Sequence, residues 1–559
     1  MEEKDMNLKR KGKFKTIREV VSANTSPDLR MEEIRTYDID FEGIISKIAG
    51  YDGKISVISD YDVDGVMSSL VLDLLLRTLH KNFEIYVPRR MSDGYGISEG
   101  ILSKITGNLI ITVDNGIAAI KPIQKAKEQQ KEVIVLDHHL PMMKDGVAIY
   151  PPADEIMDLK AEKGNADFHD YCGAGIAYRL LCQMIESQEI QNQALCYAAI
   201  ATIADMVPLR GDNRKIVKEG LKNLSNRIGV GEPLKYLLYK KYLTKVKEKD
   251  IAFTIAPILN AAGRLYNNGG QFVYEVLKKQ DNYQKDVEEL IEINEARKAV
   301  TKEFVQKAKE KISNLSLENC NPLILYLENT PEGILGLLAG ALAKEYGCPA
   351  FVVTDAKKEG ILKGSARTYG EIDLKREIMD PCSELLETYG GHKEAGGLSF
   401  FKENLNALCK KAESLSLERT EISNTYDLVI SKQEDIPKYC EELEKYAPYG
   451  IGNPEPVFYM EHYDLIPRQN GCYDFFGKNK EHVQFFGKDN CAIGFFMAEK
   501  YRSLQFPTTI SVVGNLVKKE TAYAPSYQFE LEDFSSAQRE SKKTTFSMQL
   551  QQLAERRER

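Results

Sequence analysis

Acidic side chains and histidines recur in this sequence at the ends of apolar runs. In "SVISDYDVDG", Asp60, Asp62 and Asp64 follow a strand-like run, and Gly65 opens a helix-like stretch. In "LIITVDNG", Asp114 ends the next run, and in "VIVLDHH", Asp137, His138 and His139 end a third. In "AAIATIADMVPL", Asp205 closes an Ala/Ile-rich stretch before Pro208. The chain has 7 histidines, and two of them are adjacent here. Carboxylates gathered without a cation repel one another and lose solvation. Carboxylates joined by one or two imidazoles suit Mn2+ or Mg2+. Two such ions roughly 3.5–4 Å apart clamp phosphate esters for cleavage. A single Asp after a strand is ordinarily a helix cap or a turn former. Acids and imidazoles at four separate element ends make that account poor for Asp62, Asp64, Asp114, His138 and Asp205, which are the expected metal ligands. For Asp60 and Asp137, capping and chemistry weigh equally.

These residues need a scaffold that brings element ends together. Over residues 46–280 strand-like runs alternate with helix-like ones: "KISVISDYD", then "GVMSSLVLDLLLRTLH", then "NLIITVDNG", then "KEVIVLDHH". That rhythm predicts a parallel sheet with helices on its faces. Ligands of such sheets bind outside the carboxyl ends of the strands. Residues 281–313 predict one long helix, with Leu290, Ile293, Ala296, Val300, Phe304, Ala308 and Ile312 at steps of three and four. A second α/β unit, 314–415, opens on "PLILYLE" and is rich in glycine. The Pro/Gly-dense run "YAPYGIGNPEPVF" makes 416–456 an expected linker. Short alternating runs over 457–536 predict a small all-β barrel. Residues 1–45 are expected as a lead-in segment, and 537–559 as a polar tail.

Composition narrows the class. Of the residues, 43% are hydrophobic and 28% charged, as in ordinary globular chains, and no apolar run is long enough to span a membrane. The 10 cysteines form no C-x-x-C pair, so a zinc ribbon or iron–sulfur site is disfavoured and a reducing cytoplasm expected. The N-terminal residues lack an apolar signal core. A net charge of −8 argues against a generally basic nucleic-acid binder, but not against a local basic groove.

The glycine-rich unit offers anion chemistry. In "YGGHKEAGG", glycines let backbone N–H groups approach an anion closely, and Gly391 and His392 are candidates for contact. Ser365 and Arg367 in "KGSAR" add a hydroxyl and a bidentate grip on phosphate. Asn260 and Arg264 in "NAAGR" could join them from the first unit's end.

In this order, "DYDVDG", "VDNG", "LDHHLP" and "ADMVPL" resemble the DHH phosphoesterase superfamily. "APILNAAGRL", "KGSAR", "YGGHKEAGG" and "PYGIGNPEPVF" look like its bacterial exonucleases specific for single-stranded DNA. The resemblance implies a DHH domain, a DHHA1 domain and a C-terminal OB fold. It implies two divalent metal ions, with Asp114 bridging them, and it places Asp60 and Asp137 among the catalytic group. His139 would orient the scissile phosphate or protonate the departing oxygen. Asn260, Arg264, Ser365, Arg367, Gly391 and His392 would anchor the terminal 5′-phosphate and its neighbours. Two departures stand out. Pro331 precedes Glu332 where the family usually has His, and Ala366 takes the third position of "GSAR". Ile58 stands where pyrophosphatases of the superfamily carry a histidine, an absence that the exonuclease-like members share.

OB folds bind single strands through a basic groove and stacking aromatics. Phe485, Phe486, Phe495, Phe496, Tyr523, Tyr527 and Phe529 are available, near Lys518 and Lys519, and about half should be core by the strand period. The implied function is 5′→3′ exonucleolysis of single-stranded DNA to 5′-mononucleotides, in recombination and repair. The implied protein is a cytoplasmic monomer with a helicase or a single-strand-binding protein as possible partner. A phosphodiesterase of short RNA oligonucleotides or cyclic dinucleotides is the nearest alternative, and a non-catalytic DNA-binding scaffold a further one.

Overall fold

The computed structural model describes residues 6–24, 38–144, 146–160, 168–418, 423–467, 471–519 and 525–537. The chain forms two compact units, Met31–Glu421 and the union of Met1–Arg30 with Ile422–Arg559. The N-terminal residues therefore do more than lead in. Strand β1 (Leu8–Arg10) pairs in parallel with the strand Asn424–Tyr426. Helix α1 (Ile17–Asn24) buries Ile17, Val20 and Val21 in the core of the C-terminal unit.

The larger unit begins with α2 (Glu42–Gly50), β2 (Ile55–Ile58), α3 (Val63–Thr78), β3 (Phe83–Tyr86), the single turn α4 (Glu99–Leu102), β4 (Leu109–Val113), α5 (Ile120–Glu128) and β5 (Glu132–Asp137). A hairpin of β6 (Met142–Lys144) and β7 (Val147–Ile149) follows, then β8 (Glu155–Asp158), α6 (Gly173–Met184) and α7 (Gln188–Ala204). The main sheet has the order β3-β2-β4-β5-β8 and every pairing is parallel. Strands β2 and β4 are buried along their whole length, which is why they read as continuous apolar runs rather than alternating ones. The chain leaves β2 toward β3 on one side and returns to β4 on the other. That reversal opens a crevice between the carboxyl ends of β2 and β4, where Asp60, Asp62 and Asp64 meet Asp114.

The long helix spans Gln284–Asn314. Val287, Leu290 and Ile293 at its start join the core of the parallel-sheet domain, while Ala308 and Ile312 at its end join the core of the second α/β domain. Ala296, expected on the buried face, is exposed. The second sheet has the order β12-β13-β11-β10-β9, built from β9 (Leu323–Tyr326), β10 (Ala350–Asp355), β11 (Ile361–Arg367), β12 (Thr388–Gly391) and β13 (Ala395–Phe401).

In the C-terminal unit, β14 (Asn424–Tyr426), β15 (Leu428–Val429) and the helix Ile436–Leu443 fall within the expected linker. Ile436, Cys440 and Leu443, spaced at one helical face, are buried in the core of that unit. Asn453 then ties down the Pro/Gly run by donating to the carbonyls of Tyr446 and Pro448. The all-β body is one seven-stranded sheet containing β16 (Phe458–Asp464), β17 (Tyr473–Phe476), β18 (His482–Phe486), β19 (Asn490–Gly494), β20 (Thr509–Lys519) and β21 (Ser526–Ser536), with β15 at its edge. The expected tail lies outside the described residues apart from Ala537. No described helix is long and apolar enough to cross a membrane.

Candidate active site

Strand-to-helix turns set the acids. Asp62 caps α3, its Oδ1 accepting from the N–H of Gly65 at 3.2 Å. Gly65 is required there, because a Cβ would sit 2.3 Å from the carbonyl oxygen of Asp60. Asp64 points from the first turn of α3 to the start of α6, where the N–H groups of Gly173 and Ala174 donate to it at 2.7 and 2.8 Å. Asp114 ends β4 with a φ of 60°, a left-handed conformation that Asp tolerates better than most residues. A Cβ on Gly173 would lie 2.7 Å from the Asp114 Cβ, so α6 seats closely against this turn.

His138 joins these acids. Its Nε2 lies 3.1 Å from Asp114 Oδ1, 3.6 Å from Asp64 Oδ2 and 3.7 Å from Asp205 Oδ2. Three sets of donor atoms each fall within 4.8 Å of one another: Asp64, His138 and Asp205; Asp60, Asp62 and Asp114; and Asp114, His138 and His139. Asp60 is buried, as are Asp64, Asp114 and His138, and its Oδ1 has no hydrogen-bond partner among the described residues. Its environment therefore favours ligation over capping.

Asp137 stands apart from the three sets. Its Oδ1 accepts from the backbone of His138 and His139 and from His139 Nδ1 at 2.8 Å, and its Oδ2 accepts from Ile117. Both of its carboxylate oxygens are thus engaged, and one of them holds the His139 ring.

The electrostatics follow from this crowding. Burial, and then neighbouring acids, raise the pKa of Asp205 to about 8. Burial, with Asp62 beside it, raises Asp64 to about 6. Asp60 and Asp114 are pushed well above the carboxylate range by burial and by the other carboxylates. Burial, and then the charge of His139, lower His138 to about 3, so its imidazole is neutral and its nitrogen free to donate a lone pair. His139 moves the other way. Burial opposes its charge, but the Asp137 hydrogen bond and the surrounding carboxylates prevail and raise it to about 9. Oxygen-rich sets completed by one neutral imidazole, with carboxylates reluctant to ionise side by side, fit hard divalent cations.

A cationic wall belongs to the same unit. Arg264, on the helix Ala256–Leu265, has its pKa lowered to about 10 by burial and then by Arg90, Arg297 and Arg367, while Asp62 acts in the opposite sense. Four guanidinium groups are thus gathered beside the acid cluster. Arg264 donates to the carbonyl of Gly333 at 3.2 Å. The loop carrying Pro331 therefore reaches this wall through backbone, and Glu332 is turned away to Lys363. Arg367 and Ser365 share β11 and are linked at 3.3 Å, and a Cβ on Gly336 would lie 2.9 Å from the Arg367 guanidinium. Asn260 lies one helical turn before Arg264. His392 sits at the exposed turn of the β12–β13 hairpin. The glycines of "YGGHKEAGG" form strand pairs, Gly390 with Gly397 and Gly391 with Gly396, rather than a loop around an anion.

Sequence reasoning missed Arg90, Arg297 and Tyr95. The Tyr95 hydroxyl donates to the carbonyl of Asp114 at 3.0 Å and lies 3.2 Å from His139 Nδ1. Arg297 hides among the many charges of the long helix, and its only local signal is Asn294, which accepts from it at 2.8 Å.

Within the C-terminal unit, Phe485 and Phe529 are core, Phe486 and Tyr527 are half-buried, and Phe495 and Phe496 are 48% and 76% exposed. Tyr523 lies outside the described residues. Lys518 is paired with Glu441 at 2.9 Å and Lys519 lies 3.9 Å from Glu530, so neither is an unopposed groove cation.

Comparison with known proteins matches residues 54–204 to the DHH family N-terminal domain, 320–416 to the DHHA1 domain and 426–533 to the RecJ OB domain. The single-stranded-DNA-specific exonuclease RecJ of Bacillus subtilis is 29% identical over 83% of this chain and 59% of its own length. RecJ of Thermus thermophilus is 30% identical over 73% of this chain and, again, 59% of its own length. The chain thus spans about three fifths of both relatives. The crystal structure of Thermus thermophilus RecJ in complex with Mn2+ superposes with a TM-score of 0.71 at 24% identity, covering 89% of this chain and 71% of that one.

Proposed function

Because the chain belongs to the DHH family, with DHHA1 and RecJ OB domains following in order, we propose that it is a metal-dependent exonuclease that degrades single-stranded DNA from the 5′ end and releases 5′-mononucleotides. One observation carries this reading: a cage of carboxylates around a neutral imidazole stands beside four clustered arginines. The first suits divalent cations and the second suits phosphate.

Asp64, His138 and Asp205 would hold one Mn2+ or Mg2+ ion, and Asp60, Asp62 and Asp114 a second, with Asp114 shared through its 3.1 Å approach to His138. Such ions neutralise charge on a phosphodiester and make water a stronger nucleophile. The chain's own residues do the rest. Arg264, Arg367, Arg90 and Arg297 would grip the terminal 5′-phosphate, with Ser365 donating a hydroxyl, which sets the first ester bond over the acid cage. His139, kept protonated by Asp137, would orient the scissile phosphate and give its proton to the leaving 3′-oxygen. Tyr95 would hold the His139 ring against the Asp114 turn. Contacts of this kind are to phosphate rather than to base edges, so sequence preference should be weak.

The test is direct. The purified protein is incubated with Mn2+ or Mg2+ and with 5′- or 3′-labelled single and double strands. Early release of a labelled mononucleotide from 5′-labelled single strands supports the reading. Initial release from the 3′ end, equal attack on duplex, or inert strands would overturn it. Added helicase or single-strand-binding protein in the same assay reports whether either acts as a partner.

A further inference from the structure

Each strand of the main sheet is followed, just beyond its carboxyl end, by charged or ligating side chains. Along the order β3-β2-β4-β5-β8 these are Arg90, then Asp60, Asp62 and Asp64, then Asp114, then His138 and His139, and last Lys160. The cage stands in the middle and the two cations at the edges. Arg90 belongs to the arginine wall, and its guanidinium lies 4.9 Å from the centre of the Tyr61 ring, between the first two acids in sequence. Lys160 stands on the opposite side. Asp158, the last residue of β8, is in register with Asp137, and its Oδ1 accepts from the Lys160 N–H at 2.9 Å. That bond fixes the turn that carries Lys160 next to the end of β5. The Lys160 charge acts on the cage. After burial and His139, it lowers the pKa of His138, and with His139 it opposes the burial and the neighbouring acids that raise Asp205. Lys160 is nevertheless exposed, and its ammonium has no carboxylate partner among the described residues. At the amino ends of the same strands lysines are paired, Lys54 with Glu84, Lys47 with Glu132 and Lys127 with Asp154. The unpaired lysine is the one at the mouth of the cage.

Resting on the nuclease reading, we propose that Lys160 holds the phosphate one nucleotide beyond the scissile bond, on its 3′ side. The order of groups along the sheet names this occupant. With the terminal 5′-phosphate on the arginines beside β3 and β2, and the first diester over the cage, the strand continues toward β8. Neighbouring strands lie about 4.8 Å apart, so β8 stands about 10 Å from β4 and the cage residue Asp114. The next negative charge of the substrate arrives on that side and meets an unpaired ammonium. Lysine suits the task because it acts on phosphate as a compact point charge on a flexible stem and demands no bidentate geometry. A contact of this kind reads no base. It would make the cage favour chains of three or more nucleotides over dinucleotides, which have no phosphate to offer at that position.

The test uses a 5′-phosphorylated trinucleotide, which has one diester beyond the scissile one, and the same molecule with that second diester replaced by a neutral methylphosphonate. Binding is measured by fluorescence anisotropy in EDTA, where no turnover is needed, and kcat/KM is measured separately with Mn2+. The full chain should prefer the charged trinucleotide by about tenfold in both, the range of a charge-assisted hydrogen bond. Lys160→Met should bring that ratio near one, and Lys160→Arg should keep most of it. On long single strands in EDTA, Lys160→Met should also reduce the slope of log Kd against log salt concentration by about 0.7, the share of one phosphate contact. Wild-type protein that ignores the neutral linkage overturns the proposal. So does a Lys160→Met variant that loses activity but keeps the full ratio and the full salt slope, since Lys160 would then serve only the charge balance of the cage. Trinucleotides that bind with the expected ratio but are never cleaved would refute the nuclease reading and leave the phosphate contact standing.

Discussion

His138 Nε2 lies 3.1 Å from Asp114 Oδ1, and the two residues come from the ends of neighbouring strands β5 and β4. This contact joins the two donor sets. Asp114 stands with Asp60 and Asp62 on one side, and His138 with Asp64 and Asp205 on the other. Removing the shared carboxylate should disturb both at once. Asp114→Asn should lower kcat more than about a hundredfold, since loss of even a supporting partner of a metal ligand costs 10–100-fold. Binding of single strands in EDTA should survive. Turnover within a few fold of wild type would count against a two-ion cage.

Asp137 should act through His139. The Asp137→Asn variant lacks the charge that keeps the imidazole protonated, so its pKa should fall from about 9 toward the ordinary value near 6.5. Because the protonated form donates, the alkaline limb of kcat/KM against pH should move to lower pH. A loss of activity with an unmoved limb would make Asp137 merely structural.

The metal-free protein should lose stability as pH rises from about 6.5 to 9. Asp205, raised to about 8, and His139, raised to about 9, hold protons in the folded chain that the unfolded chain releases. A raised pKa contributes stability that is present at low pH and lost as pH rises through the folded value. His138 acts in the opposite sense, but only below its unfolded value near 6.5. Thermal melts in EDTA should therefore decline across this window, and added Mn2+ should stabilise more at its upper end. A flat profile would contradict the crowding of charges inferred here.

Arg264→Ala and Arg367→Ala should each reduce the preference for a 5′-phosphate over a 5′-hydroxyl by about tenfold, the range of a charge-assisted hydrogen bond. The measurement is kcat/KM on strands differing only in that group. An intact preference in both variants would place the phosphate elsewhere.

Phe496→Ser, in the C-terminal unit, should weaken binding of long single strands with little effect on very short ones, by about 1–3 kcal/mol if one base stacks there. Anisotropy titrations against strand length decide this. Equal loss on both lengths would argue against a stacking role.

The ligand candidates were legible because their chemistry is local. An apolar run that stops at Asp or His marks the end of an element, and four such ends in one chain, three of strands and one of a helix, signal a shared task. The division of labour between Asp60 and Asp137 was not legible, since both are single acids beside a strand. Only the fold shows Asp60 with an unpartnered buried oxygen and Asp137 with both oxygens engaged. The N-terminal strand and the helix Ile436–Leu443 also escaped sequence reading. Each is short, and its apolar face becomes meaningful only against a core assembled from distant residues.

The sequence by itself determined the α/β rhythm, the residue types at each strand end and the glycines on which close turns depend, because these follow from periodicity and steric limits along the chain. Tertiary structure decided which ends meet. The strand order β3-β2-β4-β5-β8 sets Asp114 between the two donor sets, while Arg90, Arg264, Arg297 and Arg367 reach one another from a loop, two helices and a strand of the second sheet. Strand order and the convergence of long side chains are properties of packing between distant segments, and no local pattern encodes them.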